Sequence, residues 1–451
     1  MKEQEITLSE ILSAREERVA LQNALLEQYR VPVISFTMNM AGPVKLTALS
    51  HRAFAWGIEQ LRLGFSQNKF SVLAEQSRSL PTGDEAYFAV DALAERVKAL
   101  CVEIEESGPM GRFFDMDVIG ADGRKLERAT ERACIVCHRP GRDCASRRLH
   151  TVAELQAATS AELARGLQEL ARRHVAALAT QALLGEVAVT PKPGLVDRSN
   201  NGAHRDMDYF TFLSSASSLH SYWEQCFDRG REDTTPSAEN GFRSPGESFS
   251  ALRPIGRQAE REMLAATGGI NTHKGAIFTL GVLCGALGRC WRAETGFQPV
   301  DIILEEASAM TREILAAELP TADWNTAGED LYRKYGTRGI RGEVANGLPA
   351  VRDVSLPLFR RLLARGLDRN HAAAVTLLHL IAELEDTNLL HRGGPDGAAW
   401  AKHAATELIA DGSIPSIASI SELDRQFIQR NLSPGGCADL LAVTLFLEAL
   451  S

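Results

Sequence analysis

Strand-forming patterns stop early in this sequence. Before residue 120, runs of β-branched and aromatic residues alternate with helical ones; from Thr151 onward, Ala- and Leu-rich segments of helical period follow one another. The later segments offer no strands for a shared sheet. The expected fold is therefore multidomain, with an α+β N-terminal domain and an all-α C-terminal domain. Length agrees, since 451 residues exceed one ordinary core and suit two units. The boundary is expected near residue 165, giving domains 1–165 and 166–451.

A capping box, Thr7 with Glu10, opens the first helix, and Val31 to Met38 reads as a strand bounded by Gly42-Pro43. A helix through Phe54, Ile58 and Leu61 follows. Next come a strand at Ala86 to Val90, a helix over Leu93 to Glu106 and a short apolar run at Phe113 to Ile119. A second box, Thr151 with Glu154, starts a helix reaching almost to Val189. Further helices are expected around 205–228, 257–292, 299–319, 354–366, 371–390, 397–410, 421–430 and 437–450. Residues 229–256, rich in Gly, Ser, Pro and charge, read as a long surface loop.

Composition narrows the partners. With 58 acidic against 49 basic residues the net charge is -9, which disfavours nucleic acid as a ligand. No apolar run of about 18 residues is present to span a bilayer. Acidic residues stand where a signal peptide would be basic, so the cytoplasm and no membrane partner are expected. In that reducing setting the eight cysteines read as core thiols or metal ligands, not a disulfide framework.

Asp115 and Asp117 stand two apart within Phe113-Phe114-Asp115-Met116-Asp117-Val118-Ile119. On a strand they share a face, with about 6.5–7 Å between Cα atoms, and can hold Mg²⁺ against a phosphoryl group. Apolar neighbours speak against a merely solvated edge. Arg124 to His150 holds eight Lys/Arg and three Asp/Glu, an excess of five positive charges suited to a phosphate-rich substrate. Within it Cys134, Cys137, Cys144 and His150 form a C-x2-C-x6-C-x5-H series. The spacing fits a small tetrahedral zinc site and, at Cys134 to His138, the c-type haem attachment pattern; reduced thiols in a turn satisfy it too.

Ser35-Phe36-Thr37, Gly42-Pro43-Val44-Lys45, Thr82-Gly83-x-Glu85, Gly111-Arg112-x-x-Asp115-x-Asp117-Val118 and Cys134-x2-Cys137 with Cys144-Ala145 occur in order. Over residues 5–160 the chain thereby resembles the citrate lyase holo-acyl-carrier-protein synthase family. The resemblance implies transfer of a phosphoribosyl-dephospho-coenzyme-A group to a serine of the acyl-carrier subunit, with release of pyrophosphate. It also implies a nucleotidyltransferase-like site in which Asp115 and Asp117 bind Mg²⁺, although the Gly-Ser element of such enzymes is not evident before the aspartates.

The second domain carries several charged, glycine-rich segments. Glu186 to Arg198 leaves a helix through a loop stiffened by Pro191 and Pro193, placing Lys192, Asp197 and Arg198. Asn200 to Asp208 adds His204, Asp206 and Asp208, more charge than an Asn-Gly turn and a helix cap require. Gly268 to Gly275 puts Lys274 at a helix start able to take phosphate, without a Walker A pattern. Gly339 to Glu343 and Asp386 to Gly394, which includes Arg392, read as helix ends, and Ser433 to Asp439 as a helix start able to take phosphate.

Pro191-Lys192-Pro193-Gly194, Gly202-Ala203-His204, Asn271-Thr272-His273-Lys274-Gly275 and Asp386-Thr387-Asn388 resemble, in order, the triphosphoribosyl-dephospho-coenzyme-A synthase family over residues 170–451. That resemblance implies joining the ribose 2′-hydroxyl of 3′-dephospho-coenzyme A to C1 of the ATP ribose, with loss of adenine. Such glycosyl transfer needs carboxylates near C1, an acid for the leaving base, and cations with Mg²⁺ on the triphosphate. The expected roles are Asp197, Asp206, Asp208 and Asp386 as bases or Mg²⁺ ligands and His204 as a proton-transfer group. Lys192, Arg198, Lys274 and Arg392 are expected on phosphates.

Together the two resemblances imply a bifunctional transferase that makes a prosthetic group and installs it on citrate lyase. The equivalent pair for malonate decarboxylase is the near alternative. A nucleotide-binding scaffold without turnover is the distant one.

Overall fold

The computed structural model describes residues 3–128, 132–139, 141–235, 241–318, 333–334 and 336–450, with residues 142, 143 and 145 described by backbone alone. The chain divides into two compact units, residues 1–171 with 292–296 and residues 172–291 with 297–451. It is mostly helical, with one small antiparallel sheet in the N-terminal region.

In the first unit, strands β1 (Val33–Met38), β2 (Ser71–Leu80), β3 (Gly83–Asp91), β4 (Phe114–Ile119) and β5 (Lys125–Leu126) lie in the order β2-β3-β1-β4-β5. Helices α1 (Leu8–Tyr29), α2 (Ala48–Asn68) and α3 (Ala94–Glu106) cover it. Side chains alternate across a strand, so each face has its own set. Phe36 and Phe114 point to one face, where Phe36 stacks on Phe54 at 4.5 Å and meets Phe114 edge-on at 5.2 Å. On the other face Leu25 of α1 packs with Val33, Tyr87 and Ala89. The same face continues with Ser35, Thr37, Glu85, Asp115 and Asp117: Thr37 pairs with Glu85 and Asp115, and Ser35 pairs with Tyr87 and Asp117.

Strand β2 departs from expectation. Its sequence, Ser-Val-Leu-Ala-Glu-Gln-Ser-Arg-Ser-Leu, lacks an apolar alternation because it is the sheet edge and buries no residue. Beyond it come α4 (Gly108–Gly111), α5 (Gly141–Arg147) and the long α6 (Val152–Ala188).

The second unit is helical: α7 (Tyr209–Ser218), α8 (His220–Asp233), α9 (Pro245–Ala266), α10 (Lys274–Cys290) and α11 (Val300–Glu318), then helices over Gly339–Ala345, Leu356–Ala364, Arg369–Glu383, Thr387–Ile409, Ile417–Gln429 and Gly435–Leu450. Helix α10 is buried continuously from Thr279 to Arg289 and forms the centre of the bundle. The expected loop over 229–256 is corrected. Helix α8 runs to Asp233, and α9 starts at Pro245 behind a Ser244–Glu247 capping box, burying Phe249 and Leu252. Its Ser, Pro and Gly residues are a cap and a first turn, where they are at home; residues 236–240 lie outside the described set.

Three helix limits also shift. The expected 257–292 helix breaks at 267–273, and the expected 371–390 helix breaks after Glu383, where Asp386 caps a new helix with Gly394 (φ 64°) as an internal kink. Gly339 likewise starts a helix. The expected helix end at residue 319 lies outside the described residues. Among the described residues no helix is long and apolar enough to cross a membrane.

Candidate active sites

In the first unit, β4 presents Asp115 and Asp117 on the same sheet face as α1, which packs on β1 and β3. Asp117 meets Lys125 of β5 at 2.5 Å. The Asp115 carboxylate is open to solvent and accepts no hydrogen bond from a described residue. Desolvation by its surroundings, then the Asp117 charge, push its carboxyl above the ordinary range despite Arg132, Lys125 and Lys98 nearby. Two carboxylates that repel each other are a donor set a divalent cation relieves.

Glu85, across β1 from Asp115, is a different case. It is buried and accepts from Arg18 (2.7 Å), Arg78 (2.9 Å) and the Tyr87 hydroxyl (2.6 Å), which hold its carboxyl below the ordinary range against the opposing effect of burial. Its charge is spent inside the sheet.

Part of the basic stretch is spent as well. Arg128 and Arg132 both reach Glu105 at 3.0 Å, and Arg132 also donates to the Phe114 carbonyl at 2.6 Å. Those ion pairs tie the segment to β4 and α3. Cys134, Cys137, Cys144 and His150 gather, with ligand atoms all within 4.8 Å of one another.

In the second unit the separated segments converge. Gly194 (φ +71°) lies so close to Leu432 that a Cβ would fall 2.1 Å from its carbonyl oxygen, so the Pro191–Gly194 loop docks on the residues before Ser433. Asp424 fastens the same loop, accepting from the Gly194 N–H and the Asn200 side-chain amide at 2.9 Å each. Asp386 accepts from the N–H groups of Asn388 (2.7 Å) and Leu389 (3.2 Å) through one oxygen and from Cys437 (2.8 Å) through the other. It thereby joins the N-termini of the helices Thr387–Ile409 and Gly435–Leu450.

At this junction Lys192 is buried against Glu186, its ion-pair partner. Burial, partly offset by Lys192, raises the Glu186 carboxyl, and Asp439 is raised well above its ordinary value by burial and by Glu186 and Asp386. His273, at the N-terminus of α10, contacts the Ser215 hydroxyl through Nδ1 at 2.6 Å. Its Nε2 is buried without a hydrogen-bond partner among the described residues. Burial first, and Lys192 second, push this imidazole down to about 3, so it is neutral.

A second polar group adjoins Ser433. Arg392 donates to His204 Nδ1 at 3.1 Å, and His204 Nε2 contacts the Ser433 hydroxyl at 2.9 Å. Arginine can only donate, so Nδ1 accepts and the ring proton belongs on Nε2. Burial, then Arg392, push His204 down to about 4, keeping it neutral; Asp206, largely exposed, stands 3.9 Å from Nδ1.

Other expected residues sit differently. Asp197 accepts from Ser199, Asn200 and Lys192 N–H groups at 2.6, 3.1 and 3.1 Å, holding the loop in shape. Asp208 caps α7 through the Thr211 N–H at 2.8 Å. Arg198 turns to Thr190 and Asn370. Lys274 is half exposed, 3.4 Å from Glu260. Glu186, His273, Asp424, Ser433 and Asp439 belong to the cluster but have no individual role assigned from the sequence. Glu186 and His273 lay inside quoted segments and Ser433 and Asp439 in the helix start, whereas Asp424 left no signal.

Residues 172–451 match the family model for ATP:dephospho-CoA triphosphoribosyl transferase, and residues 6–165 match that for apo-citrate lyase phosphoribosyl-dephospho-CoA transferase. Protein CitXG of Haemophilus influenzae is 35% identical over 98% of this chain and 96% of its own length. Protein CitXG of Leuconostoc mesenteroides subsp. cremoris is 31% identical over 99% and 97%. A protein of Citrobacter koseri described as a probable 2-(5''-triphosphoribosyl)-3'-dephosphocoenzyme-A synthase is 41% identical over 61% of this chain and 90% of its own. With both models matched in tandem and full-length relatives of the same build, the chain belongs to the fused CitXG family of transferases, which unites these two activities.

Proposed function

We propose that residues 172–451 join ATP to 3′-dephospho-coenzyme A with loss of adenine. Residues 6–165 then transfer the phosphoribosyl-dephospho-coenzyme-A group to a serine of the apo acyl-carrier subunit of citrate lyase, releasing pyrophosphate. The description of the family matched over 6–165 names citrate lyase, which favours it over malonate decarboxylase.

The observation that carries the first reaction is the buried junction of Glu186, Lys192, His273, Asp386 and Asp439 at helix N-termini. Those termini, with the Lys192 ammonium and the unpartnered His273 Nε2, suit a triphosphate. Asp439, its carboxyl raised by burial and by Glu186 and Asp386, is suited to proton transfer with the departing adenine. His204, neutral and oriented by Arg392, can present a proton through Ser433. Asp197 and Asp386 act as braces that shape the site, and Asp206 remains the carboxylate free to meet substrate or Mg²⁺.

For the second reaction, Asp115 and Asp117 would hold Mg²⁺, which supplies positive charge to the α-phosphate and leaving pyrophosphate. Lys125, released from Asp117, would then face phosphate oxygens. We read the sheet as nucleotidyltransferase-like on the strength of this carboxylate pair beside its central strand. The two units would act as separate domains, and the cytoplasm, where ATP and dephospho-coenzyme A are available, is the place for both steps.

The test is direct. Purified chain with ATP and 3′-dephospho-coenzyme A should release adenine, and adding the apo acyl-carrier subunit should give it the mass of the prosthetic group. Nucleotide binding without adenine would instead mark a scaffold.

A further inference from the structure

The segment from Glu127 to His150 has almost no core. Among its described residues only Cys134 and Cys144 are buried, while Leu149 and the arginines Arg139, Arg147 and Arg148 are exposed. A segment this poor in buried apolar surface needs a cross-link to hold one conformation. We propose that it is held by one zinc ion bound by Cys134, Cys137, Cys144 and His150.

The backbone already has the shape of such a site. The His138 N–H donates to the Cys134 carbonyl at 3.0 Å and the Cys134 N–H to the Arg139 carbonyl at 2.7 Å, closing a tight turn with His138 at φ +60°. Backbone N–H groups of Val136 and Cys137 face the Cys134 sulfur. Cys144 lies on α5, and the Leu149 N–H returns to the Cys144 carbonyl at 3.2 Å, which brings His150 round to the thiols. All four ligand atoms lie within 4.8 Å of one another, and the Cys137 and Cys144 sulfurs are 3.2 Å apart. A tetrahedral zinc with bonds of about 2.0–2.3 Å sets its ligand atoms roughly 3.5–3.8 Å apart, so small adjustments suffice.

Two further facts fit. His150 Nε2 is buried without a partner among the described residues, an arrangement a bare turn has no reason to keep. Zn²⁺ with three thiolates carries one net negative charge, and the surrounding segment has the positive excess to balance it. The haem alternative loses ground, because His138 is exposed and outside the cluster. A Cys137–Cys144 disulfide would leave Cys134 and His150 unexplained.

The site would act on β4 by position. Arg112 donates to the Ala133 carbonyl at 2.8 Å, next to Cys134, and Arg132 donates to the carbonyl of Phe114, the residue before Asp115. A fixed knuckle therefore fixes the start of the strand that carries the carboxylate pair.

The experiment measures metal, not turnover. Full-length protein made in zinc-supplemented medium and purified under reducing conditions should contain about one zinc per chain by mass spectrometry. Cobalt added to the metal-stripped protein should give thiolate charge-transfer bands. Cys137→Ser and Cys144→Ser should lose the zinc, His150→Cys should keep it with a changed cobalt spectrum, and Asp115→Asn should leave zinc content untouched. If the serine variants fail to fold, the cobalt spectrum of the unaltered chain still decides. Zinc-free folded protein with no cobalt–thiolate bands, or thiol counting that finds a Cys137–Cys144 disulfide, overturns the proposal.

Discussion

Asp439 lies over Gly275, so near that a Cβ at residue 275 would fall 1.9 Å from its Oδ2. Only glycine leaves the N-terminus of α10 open to that carboxylate. Gly275→Ala is predicted to destabilise the fold by about 1–3 kcal/mol through overpacking and to lower adenine release. In an Asp439→Ala background the same change should cost much less, because the clashing group is gone. Thermal unfolding of the four proteins of this cycle measures the coupling, and strictly additive losses would contradict it.

Glu186 and Lys192 form a buried ion pair, and each is expensive to leave alone. Glu186→Gln or Lys192→Met should each destabilise the second unit by about 3–5 kcal/mol, since the remaining charge has no buried partner. The double variant Glu186→Leu/Lys192→Met should regain much of that stability while releasing no adenine. Denaturant titration beside the adenine assay separates the two effects. An active double variant would place the pair outside the chemistry.

Asp115→Asn should abolish modification of the acyl-carrier serine and leave adenine release unchanged, since the two reactions are assigned to different units. Its stability should hold, because the lost charge was repelled by Asp117 and accepted no hydrogen bond from a described residue. Mass analysis of the acyl-carrier subunit and chromatography of adenine read the two outputs from one reaction. Loss of both in a folded protein would argue against separate sites.

How much of this was legible varies with the range of the interaction. Strands β1, β3 and β4 were visible because Val33 to Phe36, Ala86 to Val90 and Phe113 to Ile119 are apolar enough to be buried in a sheet. Edge strand β2 buries nothing and left no pattern. The loop mistaken at 229–256 shows that Ser244-Pro245-Gly246-Glu247 reads equally as a turn and as a helix entry until its apolar face at Phe249 and Leu252 is weighed. At the site, the charged motifs were plain but their tasks were not. A carboxylate that braces backbone N–H groups, as Asp197, Asp208 and Asp386 do, is the same residue type that does acid–base work. Asp424 was invisible because its partner Gly194 stands 230 residues away.

Buried His273 links stability to pH with a definite sign. Its folded value, about 3, lies below the ordinary 6.5, so between these the unfolded chain binds a proton the folded one refuses. Its contribution is intact above pH 6.5 and is lost as pH falls, by up to about 1.4 kcal/mol per pH unit. His204, at about 4, acts the same way over a narrower range. The raised carboxyls of Glu186, Asp386 and Asp439 act oppositely, so the comparison is between wild type and His273→Gln. The wild type should lose more stability between pH 6.5 and 5 than the variant, measured by denaturant midpoints; equal slopes would mean His273 is protonated in the folded state.

Lys274 opens α10 with its ammonium 3.4 Å from Glu260 and half exposed. A cation at the positive end of a helix dipole is unfavourable by about 0.3–1 kcal/mol, and the exposed Glu260 pair offsets this only in part. A lysine kept there against its own stability suits one that meets phosphate. Lys274→Ala should therefore leave stability equal or raise it by a few tenths of a kcal/mol. A charge-assisted hydrogen bond is worth roughly 1.5–3 kcal/mol, so kcat/KM for ATP should fall about ten- to a hundredfold, with little change for dephospho-coenzyme A. Steady-state adenine release at varied ATP, paired with thermal unfolding, tests both halves of the statement. Unchanged ATP kinetics would make Lys274 only a solvated partner of Glu260 and leave the triphosphate to Lys192 and the helix termini.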